Sequence, residues 1–454
     1  MRTSTRWLST RLGCAVLAGL AFPPAIPAQD PGRINFERYT LPNGLTIILA
    51  PDRTTQVVAV NVWYDVGSRN EVRGRTGFAH LFEHMMFQGS ANVKKGEYMQ
   101  LVERAGGELN GSTTEDRTNY FQVLPSNRLN LGLWLEADRM RSLAITKENF
   151  ENQRETVKEE RRLRVDNQPY TGAIFEGMYA LADSAACFPY SHSVIGSMDD
   201  LNAAQVPDVQ AFFDLYYAPN NAILTVTGDF DVAEAKGLIE QYFGGIARGK
   251  EPPAVSCSQP FGTGKISRPW PDSKATVPGV LVAYRVPEYR HGDTPALDLL
   301  ATILGQGESS RLNRAVVRDQ KLAQVAISLM NPAGPRRGPG VFLALGIANT
   351  GVSADSLERG LSEVFGTIAR EGISEAELSK AKNAYRSRVI LERQQALYRA
   401  EALQAANLFL GDPDAVNTAW RRTMDVTVAD VKRVAAEYLR ADNSLTLLIT
   451  PEAK

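Results

Sequence analysis

The first clear pattern in the mature part of the chain is "RINFERYTLPNGLTIILAPD", residues 33–52. Two apolar-rich runs flank the turn formers Pro42, Asn43 and Gly44, which predicts two strands joined by a tight turn. Apolar positions then recur at intervals of three and four over 74–88, 94–106, 127–142, 147–165, 205–216 and 231–242. That spacing predicts amphipathic helices. Strand-like runs near 117–124 and 222–228 are interleaved with them. Strand pairs mixed with helix pairs predict an α+β fold, with antiparallel-rich sheets and helices packed on one face.

The pattern repeats. "VPDVQAFFDLYYAPNN" (206–221) aligns without gaps to "VADVKRVAAEYLRADN" (428–443). Val206, Asp208, Val209, Tyr216 and Asn221 recur as Val428, Asp430, Val431, Tyr438 and Asn443, all at one offset (428 − 206 = 222). Upstream, "VVAVNVWYDVG" (57–67) resembles "GVLVAYRVPEY" (279–289), and each precedes a helical run. Recurrence of several elements in one order is the mark of an internal duplication. Residues 247–279 between the copies are rich in Pro, Gly and Ser, as in a connection. The expected organisation is two homologous domains, 31–246 and 280–454, with 247–279 as linker.

Composition narrows the possibilities. Of 454 residues, 44% are hydrophobic and the formal net charge is −1. There is no basic surplus for nucleic acid and no acidic surplus for a disordered chain. The first 28 residues combine Arg2, Arg6 and Arg11 with an apolar run from Leu12 to Phe22 and small residues ending at Ala28. This is the signature of a secretory signal peptide cleaved after Ala28. It predicts a mature protein that is periplasmic or secreted. No later run is long enough to span a membrane. The two remaining cysteines, Cys187 and Cys257, are 70 residues apart (257 − 187). In an oxidising compartment they could form a disulfide, but nothing in their spacing places them together, and the expectation is weighted against a bridge.

The most distinctive chemistry lies in "GFAHLFEHMMFQG", residues 77–89, which holds two of the four histidines. Residues i and i+4 share one helix face, so His80 and His84 can aim at one point. The positions around them are apolar nearly all round, which marks a buried helix. Unpaired polar groups are costly there. A shared metal ion and a water would satisfy both imidazoles and Glu83. The alternative is a pair of core histidines bonded to backbone, with Glu83 on a solvated face. The spacing His-x-x-Glu-His is a metalloprotease signature. A catalytic zinc commonly has three protein ligands and one open position. In "ENFENQRETVKEERRLRVD" (148–166) the helical stripe runs 150, 153, 157, 160, 164. Phe150 and Val157 mark it as inward-facing, and Glu160 falls on it, while Glu159 and Arg162 point elsewhere. His192 and His291 sit in no comparable setting.

These features together resemble the inverted-motif zinc peptidases that include pitrilysin, insulin-degrading enzyme and mitochondrial processing peptidase. The likeness is greatest to smaller bacterial members with two domains per chain. It rests on "HLFEH" (80–84), on a glutamate 160 − 84 = 76 residues later, and on three further stretches: "GGELNGSTTEDRTNYF" (106–121), "PYSHSVIGSMDDL" (189–201) and "YYAPNNAILTVTGDFD" (216–231). The resemblance implies a zinc endopeptidase acting on peptides or unfolded segments. One Zn2+ per chain would be bound by His80, His84 and Glu160, with Glu83 as general base. Asn110 would contact the substrate backbone beside an edge strand. Gln153 stands where some relatives carry an auxiliary carboxylate. In the second half, "LDLLATILGQGESSRLNRAVV" lacks a His-Glu-His set. The substrate-binding arginine and tyrosine of non-zinc halves are not matched at Arg318 and Gln324. The implied partner is therefore a homologous non-zinc subunit that supplies them, in a heterodimer, with a homodimer as the alternative assembly. A non-catalytic scaffold and a peptide-capture protein are the competing functions.

Overall fold

The computed structural model describes residues 32–182, 185–257 and 264–452. The expected signal peptide and its cleavage site lie outside the described residues.

Two sheets organise the molecule. The first contains β1 (Glu37–Thr40), β2 (Thr46–Pro51), β3 (Val57–Tyr64), β4 (Glu108–Thr113), β5 (Thr118–Pro125) and β6 (Ala222–Gly228), in the order β1-β2-β6-β3-β5-β4. The second contains β7 (Ile266–Asp272), β8 (Gly279–Val286), β9 (Ala323–Met330), β10 (Gly340–Ala348) and β11 (Ser444–Pro451), in the order β7-β11-β8-β10-β9. With β1 set aside, the two orders are the same sequence of chain positions. Each sheet has one parallel pair, β2 with β6 and β7 with β11, and its other pairs are antiparallel.

The repeat extends to hydrogen bonds. Helices Val206–Tyr216 and Val428–Tyr438 are each 11 residues long. Asp208 and Asp430 each accept from the backbone N–H at the helix start, at 3.1 and 2.9 Å. Asn221 and Asn443 each donate to the carbonyl of the tyrosine five residues back, at 2.8 Å.

Side-chain alternation decides how the halves meet. Along β3, Val58, Val60, Val62 and Tyr64 face the main core of the first half. The other face carries Asn61 and Trp63. It is covered by helix Ala396–Ala405 of the second half, whose Gln404 donates to Asn61 O at 2.9 Å. Along β8, Val280, Val282, Tyr284 and Val286 face the second core. Leu281 and Ala283 face outward, where Tyr170, Ala173, Met178, Tyr179 and Leu181 of the first half cover them. Each half thus buries the outer sheet face of the other, beyond the one-faced helix packing expected from sequence.

Helices α1 (Phe78–Met85), α2 (Glu97–Arg104), α3 (Leu129–Ser142) and α4 (Lys147–Arg161) belong to the first half. The helix expected over 74–88 is shorter because Gly77 adopts φ 87° at its start, a left-handed conformation suited to glycine. The stretch expected to be a linker contains β7 with Pro269 and Pro271. Proline is tolerated there because β7 is an edge strand, where an outward N–H needs no partner.

The expectation for the cysteines is corrected: Cys187 and Cys257 form a disulfide, with Cα atoms 4.6 Å apart. The connection after residue 247 folds back along the first half, bringing Cys257 to the buried Cys187. Sequence separation carries no information about that return.

Two hairpin loops lock the halves. Glu115 and Asp116, between β4 and β5, are fully buried. Glu115 pairs with Arg336 from the loop between β9 and β10, and accepts from Tyr179 Oη at 2.8 Å. Asp116 pairs with Arg337 at 3.3 Å and with Arg69 at 3.2 Å. Removing one member of a buried pair strands the other charge in a dry site. Arg336→Met is therefore expected to lower the unfolding free energy by about 3–5 kcal/mol. The double variant Glu115→Gln/Arg336→Met is expected to recover much of that loss in denaturant titrations. Equal midpoints for the single and double variants would contradict this.

Candidate metal and active site

The buried side of α1 is formed by Phe78, Ala79, Leu81, Phe82 and Met85. Phe82 stacks on Phe212, Phe213 and Tyr217. This anchoring leaves His80, Glu83 and His84 on the remaining face, half-buried. α4 packs beside α1. It is capped by Thr146, whose side chain accepts from Asn149 N at 3.1 Å. Phe150, Gln153 and Val157 are buried, as the stripe predicts, and Glu159 and Arg162 are exposed.

Glu160 therefore points at α1. Its Oε2 lies 3.1 Å from His84 Nε2 and 3.6 Å from His80 Nε2. The candidate ligand atoms of the three residues all fall within 4.8 Å of one another. Among the described residues this is the one such cluster of three or more His, Cys, Asp or Glu side chains. The imidazole rings are 4.9 Å apart and nearly perpendicular. Neither Nε2 takes the backbone partner that a structural core histidine would have.

Electrostatics follow from burial and neighbours. Burial, then the adjacent His84, pulls the His80 pKa down to about 4, so it is neutral and able to ligate. The hydrogen bond from His84 holds the Glu160 carboxyl below its usual range. Burial pushes Glu83 up, against the hydrogen bond from Thr113 Oγ1 at 2.7 Å. Two neutral-capable imidazoles and one carboxylate are a donor set suited to zinc. The buried Nδ1 of His80 has no hydrogen-bond partner, leaving Nε2 as its engaged nitrogen.

Glu83, His80 and Glu160 open into a cavity of about 330 Å3. Gly111, Ser112 and Thr113 of β4 form one wall, and Ile174, Phe175, Met178 and residues 193–195 form the others. β4 is an edge strand, so one side of its backbone has no neighbouring strand in the sheet. A larger cavity of about 410 Å3 in the second half holds Asp298, which burial pushes up to about 7. It has no cluster of ligating groups, so the smaller cavity is the candidate site.

Asn110 lies on β4 but is exposed, and its side chain accepts from the backbone N–H of Gly111 at 2.8 Å. It does not line the cavity. Gln153 is buried and donates to Asn152. Arg318 and Gln324 are both exposed, far from any ligating cluster in sequence, and Gln324 donates to Ala348 O.

Three further residues contribute to the site without a local sequence signal. Thr113 orients Glu83 from within a quoted stretch that gave it no role. Arg164, one turn after Glu160 on the noted stripe, pairs with Glu160 Oε1 at 2.9 Å. His192, whose local sequence resembles no metal motif, bonds to the buried Glu71 at 3.1 Å.

Residues 46–183 match the family model described as insulinase (peptidase family M16), and residues 203–385 match that of the peptidase M16 inactive domain. Zinc protease PqqE of Helicobacter pylori is 33% identical over 91% of this chain and 93% of its own length. The crystal structure of a protease from Helicobacter pylori superposes with a TM-score of 0.87 at 32% identity, covering 92% of this chain and all of that one (100%). The periplasmic protease PqqL of Escherichia coli shares the fold at a TM-score of 0.73 and 18% identity, over 94% of this chain and 48% of its own. The chain belongs to the insulinase family of peptidases, family M16.

Proposed function

We propose that this chain is an exported zinc endopeptidase that hydrolyses peptides or unfolded segments, with His80, His84 and Glu160 holding one zinc ion and Glu83 serving as general base. The observation that carries this reading is the convergence of three donor groups within 4.8 Å, with Glu83 in the cavity that His80 and Glu160 also line. A bound zinc would supply Lewis-acid chemistry, lowering the pKa of water toward neutrality and polarising the scissile carbonyl. Glu83 takes a proton from the attacking water and hands it to the leaving amine, and a carboxyl raised by burial suits both steps. Thr113 fixes one Glu83 oxygen and leaves the other for that proton.

Substrate binds as an added strand on β4. Main-chain pairing at a free sheet edge gives affinity with little sequence demand. Asn110, exposed on that strand, is available to the substrate backbone. The retained Glu83 favours catalysis over a scaffold or peptide-capture role. The reading includes a homologous non-zinc partner subunit that supplies the arginine and tyrosine not matched at Arg318 and Gln324. The N-terminal basic and apolar pattern supports export.

Glu83→Gln keeps the shape and removes the base. It is expected to retain wild-type zinc content and lose roughly 10^2–10^4-fold in turnover of a peptide. Loss of zinc from this variant, or undiminished turnover, would contradict the assignment. A second test uses β4. A Cβ at residue 111 would meet Asn119 O and a Tyr120 ring carbon at 3.1 Å and Glu83 Cγ at 3.2 Å. Gly111→Val is therefore expected to displace Glu83 and reduce kcat/KM by up to about 10^2-fold at unchanged zinc content. Wild-type kcat/KM would show that β4 does not set the Glu83 position.

A further inference from the structure

α1 carries both histidines of the cluster, yet Gly77, the residue at its N-cap, has no side chain to cap it. The first turn of a helix leaves unsatisfied N–H groups and a positive end of the dipole. Glu71, from outside the helix, fills that role. Its Oε2 accepts from Gly77 N at 2.9 Å and its Oε1 from Ala79 N at 2.8 Å. Ala79 is the residue before His80. The Glu71 side chain is fully buried; burial pushes its carboxyl pKa up, against the hydrogen bonds from His192, Ala79 and Gly77, so its charge is met by those groups and not by water.

The counter-group is His192. Its Nε2 lies 3.1 Å from Glu71 Oε2 and 3.0 Å from Ser68 O, and its Nδ1 lies 3.0 Å from Phe188 O. Both ring nitrogens face oxygen acceptors, and only an imidazolium can donate from both. The ring is stacked on Phe188 at 4.5 Å. Burial pulls the His192 pKa down, but the bond and charge of Glu71 outweigh it and leave it raised.

His192 also begins a segment that runs from the cavity wall to the start of α1. Residues 193–195 wall the cavity. Gly196 lies against Gly77 so closely that a Cβ on it would meet Gly77 Cα at 2.5 Å. Arg161, next to Glu160 on α4, donates to Gly196 O at 2.8 Å. The start of α1, the cavity wall and the end of α4 are tied at one place.

We propose that Glu71 and His192 are positioning residues of the metal site: a buried carboxylate–imidazolium pair that fixes the N-terminus of α1 and so the aim of His80 and His84. This rests on the zinc reading given above. Neither residue touches the ion or the substrate. Loss of groups that orient metal ligands typically weakens metal affinity 10–100-fold.

The test measures zinc affinity of the full chain by competition with a chromophoric chelator, with circular dichroism and melting temperature recorded alongside. Glu71→Gln and His192→Gln are each expected to weaken zinc binding about tenfold or more. Thr427→Ala, which removes the cap of the distant helix Val428–Tyr438, is expected to lower the melting temperature and leave zinc affinity unchanged. Should Glu71→Gln fail to fold, His192→Gln carries the test, because it keeps the Glu71 bonds to Gly77 and Ala79. Wild-type zinc affinity in His192→Gln overturns the proposal alone. Failure of the unaltered chain to bind zinc overturns the reading beneath it as well.

Discussion

The packing of α4 against α1 is the constraint on which the rest of this structure depends. It sets the carboxylate of Glu160 against two imidazoles one helical turn apart, in a half-buried place where each group would be costly alone. Phe82 and its aromatic neighbours fix one helix, and Phe150 and Val157 fix the other. The apolar residues have no part in the chemistry, but they decide which polar groups face each other. A shared cation is the simplest partner for two nitrogen donors and one oxygen donor so held.

The cavity around this cluster is built by both halves of the chain. The segment that supplies Ile174, Phe175 and Met178 to its wall also covers the outer face of the second sheet. Pro332 and Ala333, from the loop that locks through Arg336, line the cavity from the other side. In return, helix Ala396–Ala405 covers the outer face of the sheet that bears β4. Among the described residues the second half has no metal-ligating cluster of its own, yet the sheet that bears β4 and the cavity wall lean on it. Removing it would expose the outer face of the first sheet and the apolar segment around Met178 and Leu181, and would leave the buried Glu115 without Arg336 and Asp116 with Arg69 alone.

Much of this was legible in sequence because it is local. The histidine spacing, the apolar surroundings of α1 and the stripe that includes Glu160 all follow from one helical period. The duplication was visible in five matched positions and reappears in the repeated strand order and in the paired Asn221 and Asn443 bonds. What was not legible depends on distant parts of the chain meeting. β4, "ELNGST", lacks the apolar alternation of a half-buried strand because its residues face a cavity and solvent. The bridge from Cys187 to Cys257 depends on the return path of the connection. The Glu71–His192 pair spans 121 residues, and neither residue differs locally from an ordinary polar side chain. Helix ends are not legible in periodicity where a left-handed glycine, such as Gly77, interrupts the pattern.

The central claim is a coordination sphere, and X-ray absorption at the zinc edge of the purified, zinc-loaded chain tests it most directly. The account predicts one ion per chain with two imidazole nitrogens at about 2.0–2.1 Å and carboxylate and solvent oxygens at about 2.0–2.2 Å. The oxygen contribution should diminish in Glu160→Ala. A spectrum without imidazole scattering, or one left unchanged by that substitution, would contradict it.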